Sequence, residues 1–270
     1  MGYLRKAVLK ILKITAFDTK IKHHYTNKNF LLNTYNHKGY WYYGAKRERN
    51  TVKLFQSWIK PNQYVLEIGA HIGYFSTLYA SLVGGKGKVD VFEPSEKNAK
   101  YLKANIKLLP ENLQKITTIV NKGAGDVDEV LDFYIDPISG QNNSFVKNFD
   151  GFFSNREQSA ETNAELSKEQ VEVIRLDTYF KNRNHFPDFV KIDVEGFEWK
   201  VVQGFADTIE RSHPGLMIEI QADAEKIIDF FKEKGYNIFN DKMQVIDNYE
   251  SYLRINTPNI FFKYKYNNGQ

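Results

Sequence analysis

The stretch from Tyr64 to about Val83 constrains the fold more than any other part of the chain. Tyr64-Val65-Leu66-Glu67-Ile68 is a short, apolar-rich run of buried-strand type. It passes through Gly69-Ala70-His71-Ile72-Gly73 directly into a helix pattern. A strand that turns through glycines into a helix starts a βα unit, and repeated βα units build a parallel sheet with helices on both faces. The rhythm continues along the chain. Val89 to Phe92 reads as the next strand, ending at Glu93-Pro94; Ser95 can cap a helix that carries Ala99, Leu102, Ile106 and Leu109 and stops at Pro110. Ile116 to Val120 is a third strand. Asp188 to Asp193 is a further buried strand, followed by a helix over 198–212, a strand from Leu216 to Ile220 and a helix over 224–234. Late strands near 236–239 and 259–264 can close the sheet. The expected fold is therefore α/β, doubly wound and mostly parallel.

Two regions fall outside this rhythm. Residues 1–50 form a basic N-terminal extension: a 4–14 amphipathic helix with Leu4, Val8, Ile11 and Leu12 at helical spacing, then a strand or hairpin over the aromatic segments 30–35 and 40–43. A helix over 47–59 ends before Pro61. Residues 51–270 make the main domain, with a strand at 130–135, a long insertion at about 139–170, and the alternation resuming at 171–174. The insertion mixes Gly, Asn and Ser with Phe145, Phe149, Phe152 and Phe153, which suits a substrate-covering loop or small subdomain.

Charge follows the same division. Residues 1–60 hold 13 Lys and Arg against Asp18 and Glu48, a net of +11; the remainder holds 24 against 31, a net of −7, and the whole is +4. A basic arm suggests an anionic neighbour, and helix 1–14 suggests peripheral contact with a membrane surface. The alternative is a short helix packed on its own domain. No apolar run approaches the ~20 residues of a membrane span, and the interrupted start lacks a secretory core, so the expected location is cytoplasmic. The chain has no cysteine. Thiolate metal sites and cysteine nucleophiles, including those of cytosine C5 methylation, are excluded.

The glycine loop and Glu93 together point to a nucleoside cofactor. An acid ending the second strand, about twenty residues beyond the loop, can accept hydrogen bonds from both ribose hydroxyls. The dinucleotide fingerprint G-x-G-x-x-G seats pyrophosphate on its central glycine. Here His71 occupies that place, and Glu67 stands just before the turn. S-adenosylmethionine has no phosphate and carries an α-ammonium, which an acid suits better than a phosphate cradle does. In Lys191-Ile192-Asp193-Val194-Glu195-Gly196-Phe197-Glu198, Asp193 and Glu195 stand at a strand's carboxyl end. They can bind a divalent cation, orient a hydroxyl or take its proton; equally, Asp193 can cap the next helix and Glu195 support its dipole.

Val65 to Ser76, Val91-Phe92-Glu93-Pro94, Ala124-Gly125-Asp126, Asp188 to Glu198 and Met217-Ile218-Glu219-Ile220 together resemble the FkbM family of S-adenosylmethionine-dependent methyltransferases. The resemblance spans roughly 51–223. It implies a class I methyltransferase (Rossmann-like) fold with a seven-stranded sheet and one antiparallel strand. It also implies O-methylation of a sugar, glycan or natural-product hydroxyl. Glu67, Gly69, Ala70, His71, Gly73, Glu93 and Asp126 would bind the cofactor, and Asp193 and Glu195 would be catalytic. Asp193, Glu219 and Asp223 could hold a divalent cation, and His185 is a further candidate base. Glu67 replaces the family's commoner Asp, and His71 its usual Asn. Two other readings stay open: N-methylation of nucleic acid or protein, and a non-catalytic nucleoside-binding module. The first usually carries Asn/Asp-Pro-Pro-aromatic where this chain has Asp193-Val194-Glu195-Gly196, so nucleic acid is a disfavoured partner.

Overall fold

The structure, a computed structural model, describes residues 2–136, 141–151 and 166–265. After helix α1 (Gly2–Ile14), strands β1 (Asp18–Lys22) and β2 (Asn29–Asn33) form an antiparallel hairpin. Short α2 (Lys38–Tyr43) and α3 (Arg49–Trp58) then lead into β3 (Tyr64–Ile68), α4 (Tyr74–Val83), β4 (Lys88–Phe92), α5 (Glu96–Lys107), α6 (Glu111–Lys115) and β5 (Thr117–Val120). The second half holds β6 (Gly123–Gly125), β7 (Glu129–Ile135), β8 (Ser167–Arg175), α7 (Leu176–Phe180), β9 (Phe189–Ile192), α8 (Glu198–Gln203), α9 (Ala206–Ser212) and β10 (Gly215–Glu219). It closes with α10 (Ala224–Glu233), β11 (Tyr236–Asn240), α11 (Tyr249–Ile255) and β12 (Asn259–Tyr264).

The main sheet has seven strands in the order β11-β12-β10-β9-β3-β4-β5. β12 runs antiparallel to both neighbours while the other pairings are parallel, as expected for a class I methyltransferase sheet. Because side chains alternate along a strand, β3 feeds two cores. Leu66 and Ile68 pack with Val190, Ile192, Phe205 and Ile228 on one face, and Val65 packs with Phe55, Leu78 and Leu102 on the other. β3 changes order between β4 and β9, so the carboxyl ends of these strands flank a switch point where such sheets bind ligands.

Three expectations are corrected. The aromatic run Tyr40–Tyr43 is helical, and the hairpin forms upstream of it. Only Tyr40 of that run is buried, so the aromatics have no period-two face to cover. The strands near 130–135 and 171–174 lie in a separate three-stranded sheet, β6-β8-β7, outside the main one. The helix expected over 198–212 is broken into α8 and α9. The Gly204 carbonyl there accepts from the Asp177 amide at 2.8 Å, and the Asp177 carboxylate accepts from the Thr208 amide at 2.9 Å. The N-terminal region is tied to the domain through Asn105, whose side chain bonds Leu31 at both backbone groups and the Ile72 carbonyl.

Candidate active site

A cavity of about 660 Å³ opens at the carboxyl ends of β3, β4, β9 and β10. That is within the ~300–1,000 Å³ of small-molecule sites. Gly69, His71, Glu93, Asp193, Glu195 and Glu219 line its floor; Asn142, Asn143, Phe145 and Phe149 of the insertion line one wall, and Tyr40, Arg47 and Glu48 another. The insertion thus lines the cavity through residues of 141–151, while Phe152 and Phe153 lie outside the described residues.

The glycine loop is built for close packing. Gly69 has φ +83°, and a Cβ there would lie 1.7 Å from the Asp193 carbonyl oxygen, so only glycine lets β9 end against this turn. The amides of Gly69 and Ala70 both donate to the Phe92 carbonyl at 3.0 Å, the Gly73 amide donates to Ala70, and the His71 amide donates to Glu93 Oε2 at 2.7 Å. With these four amides engaged, none of them is free to cradle a phosphate. His71 adopts φ +49° and its Nδ1 pairs with the Tyr40 hydroxyl at 3.0 Å. Burial, then the positive charge of its neighbours, pushes its pKa well below the ordinary histidine value, so the ring is neutral. Its buried Nε2 has no hydrogen-bond partner among the described residues.

Glu93 is 4% exposed and lines the cavity. Its Oε1 accepts from the Ser95 amide at 3.0 Å and from Asn98 Nδ2 at 3.3 Å, which fixes the carboxylate at the strand end. Burial raises its pKa to about 7 against these donors. With the His71 amide on Oε2, three of its about four acceptor sites are filled, and the one left on Oε2 can accept from a ribose hydroxyl, the use expected of it.

Glu67 takes a different place. It is 1% exposed and does not line the cavity; its Oε2 accepts from Ser76 Oγ at 2.5 Å, and its Oε1 lies 3.9 Å from Lys191 Nζ. Parallel pairing puts Glu67 opposite Lys191 across β3 and β9. Lys191 also donates to Asp193 Oδ2 at 2.9 Å. Burial pulls the ammonium toward neutrality, but Asp193 and Glu67 outweigh it and hold the lysine charged, its pKa above the ordinary value. Asp193 therefore carries a cation partner, while Glu67 supports the floor from behind.

The remaining carboxylates crowd the ends of β9 and β10. Glu195, with φ +53°, has its pKa raised well above the ordinary value by burial and by the charges of Asp193, Glu219 and Glu198. Asp193's charge, then burial, raises Glu219 to about 8. Fully buried Glu198 accepts from the Gly196 amide at 2.7 Å and from the amides of Gln221 and Ala222 at 3.4 and 3.3 Å, clamping two cavity-lining turns together.

Of the residues singled out in the sequence, the cavity brings together Gly69, His71, Glu93, Asp193, Glu195 and Glu219. Ala70 and Gly73 shape the loop from beneath. Asp126 pairs with Lys200 at 2.7 Å and Asp223 with Lys226 at 2.6 Å, both outside the lining. The set Asp193, Glu219, Asp223 is not assembled: among the described residues no three His, Asp or Glu side chains converge as metal ligands. His185 lies against Tyr64, ring centroids 5.2 Å apart and tilted by 49°, at the opposite, amino end of the strands, too far round the sheet to serve as base. Sequence reasoning overlooked Lys191, Glu198, Tyr40 and Arg47. A lysine inside a buried strand was a signal for the first, since it needs an acid partner.

The family model described as "Methyltransferase FkbM domain" matches residues 67–238. Among solved structures, an FkbM methyltransferase from Methylobacillus flagellatus is 17% identical with a TM-score of 0.45, covering 74% of this chain and 43% of its own. This chain thus spans less than half the length of that protein. Aeropyrum pernix fibrillarin with bound S-adenosyl-L-methionine is 9% identical, TM-score 0.45, over 91% of this chain and 81% of its own. An S-adenosylmethionine-dependent O-methyltransferase from Thermotoga maritima is 11% identical, TM-score 0.43, over 83% and 67%. No curated protein matches. Among the described residues no helix is long and apolar enough to cross a membrane.

Proposed function

Because this chain belongs to the family of methyltransferase FkbM domains, we propose that it transfers the methyl group of S-adenosylmethionine to a hydroxyl oxygen of a sugar, glycan or small natural product. The observation that carries the reading is one cavity that joins Glu93, at the end of β4, to the carboxylates at the ends of β9 and β10. A fixed acid for a ribose hydroxyl and acids suited to proton removal thereby face one space. The 660 Å³ volume and the engaged amides of Gly69, Ala70, His71 and Gly73 fit a phosphate-free nucleoside.

When bound, the cofactor supplies an electrophilic methyl on a sulfonium, so the protein's work is alignment and proton removal. Glu93 would hold the ribose, with its oxygens fixed by Ser95 and Asn98. Asp193, neutralised by Lys191, suits holding the acceptor or the cofactor's α-ammonium. Glu195 suits the base: it lines the cavity two residues beyond Asp193, and burial with the neighbouring acid charges raises its affinity for a proton. Clustered carboxylates favour taking a proton, since protonation of one relieves repulsion among all. The amide-rich wall of Asn142 and Asn143 beside Phe145 supports a polyhydroxylated acceptor.

Labelled-methyl transfer to a glycan and metabolite panel tests this reading. Glu195→Gln should lower kcat by about 10²–10⁴; an unchanged rate would remove Glu195 from catalysis, and transfer to nitrogen acceptors alone would replace the hydroxyl reading. We further propose peripheral membrane contact through residues 1–14, supported by exposed Val8, Ile11 and Ile14 beside Lys10 and Lys13 on α1.

A further inference from the structure

We propose that Arg47 binds the α-carboxylate of the methionyl group of S-adenosylmethionine, so that a residue from outside the matched domain completes the cofactor site. The inference rests on the cofactor reading above.

The cavity lining offers two cations, Arg47 and Lys122. Lys122 is engaged by Glu172 at 2.5 Å. Arg47 has no carboxylate within ion-pair distance among the described residues, and its guanidinium lies over the Tyr40 ring, 4.7 Å from the centroid. Gly39 makes the room: a Cβ there would lie 2.6 Å from Arg47 Nη1. Tyr40 in turn stacks on His71 with centroids 6.0 Å apart and planes 16° from parallel, and its hydroxyl bonds that ring. Arg47 is therefore linked to the glycine loop through Tyr40 and its bond to His71.

Asp193 and Glu219, at the ends of β9 and β10, line the same cavity. A guanidinium facing acids over an open space matches a zwitterion, whose carboxylate needs a planar, two-pronged donor and whose ammonium needs acids. S-adenosylmethionine carries that zwitterion at the end remote from its ribose. Glu93 and Arg47 then mark the two ends of one ligand. The glycine loop could not supply the carboxylate's donors through Gly69, Ala70, His71 or Gly73, because those amides are already engaged.

The test is calorimetric titration of the full chain, wild type, Arg47→Gln and Arg47→Lys, with S-adenosylmethionine, its decarboxylated analogue and 5′-methylthioadenosine. The expected result is a loss of about 10–100-fold in S-adenosylmethionine affinity for Arg47→Gln, with a smaller loss for Arg47→Lys, which keeps the charge without the fork. Affinity for the two ligands lacking the carboxylate should stay within about twofold, which also certifies that the variant is folded. Equal weakening of all three ligands, or unchanged S-adenosylmethionine affinity, overturns the assignment and leaves the cofactor reading standing. Wild-type protein that binds none of the three overturns both.

Discussion

Replacing Lys191 by Met removes one buried charge and leaves another behind. The methionine keeps most of the methylene stem, so the packing loss is small. Glu67, 1% exposed and 3.9 Å from the lost ammonium, cannot turn to water instead. At an effective dielectric of ~20, the attraction over 3.9 Å is about 4 kcal/mol. Truncating one member of a buried pair costs about 3–5 kcal/mol in comparable cases. Asp193 adds less, because a quarter of its side chain already meets solvent. Lys191→Met should therefore lose about 3–5 kcal/mol in urea unfolding at pH 8. Glu67→Gln alone should cost about 1 kcal/mol, since the amide can still accept from Ser76. The double variant, with no uncompensated carboxylate inside, should lose only about 1–2 kcal/mol, giving a coupling of at least about 2 kcal/mol. The cost of Lys191→Met should also shrink at pH 5, where Glu67, its pKa raised to about 7, is already protonated. A double variant as unstable as Lys191→Met, or a single loss under about 1 kcal/mol, would refute the bridging role.

Three further outcomes are expected. Glu67, Glu93 and Glu198 have folded pKa values of about 7 and Glu219 of about 8, all above the unfolded value, so the folded chain binds extra protons. The stability they contribute is complete below the unfolded pKa and is lost as pH rises through 7–8; urea melts from pH 5 to 8 should show that decline, and a slope unaltered by Glu219→Gln would discount Glu219. Glu198→Gln replaces one acceptor by a donor facing backbone N–H groups, so it should cost about 1–3 kcal/mol and speed hydrogen exchange at the amides of Gln221 and Ala222; wild-type protection there would exclude the clamp. Deleting residues 1–14 should abolish sedimentation with anionic phosphatidylserine vesicles, and undiminished binding would reject α1 as the contact.

Local pattern carried the βα order, the position of the glycine turn and the acids at strand ends, because these depend on residues within one turn or strand of each other. Tyr64–Ile68 had to be a buried strand, and Gly69 had to be a turn. The same local reasoning misread Tyr40–Tyr43, since aromatic content imitates a strand when no partner surface is considered. Register and packing decided the rest. Glu67 faces Lys191 across 124 positions of sequence only because β3 and β9 pair in that register, and this turns the acid away from the cavity. Arg47 reaches the cavity only because Asn105, Ile72 and Tyr74 anchor the N-terminal hairpin and its helix over the glycine loop. Such contacts join segments with no shared periodicity, so their geometry exists only once the chain has closed on itself.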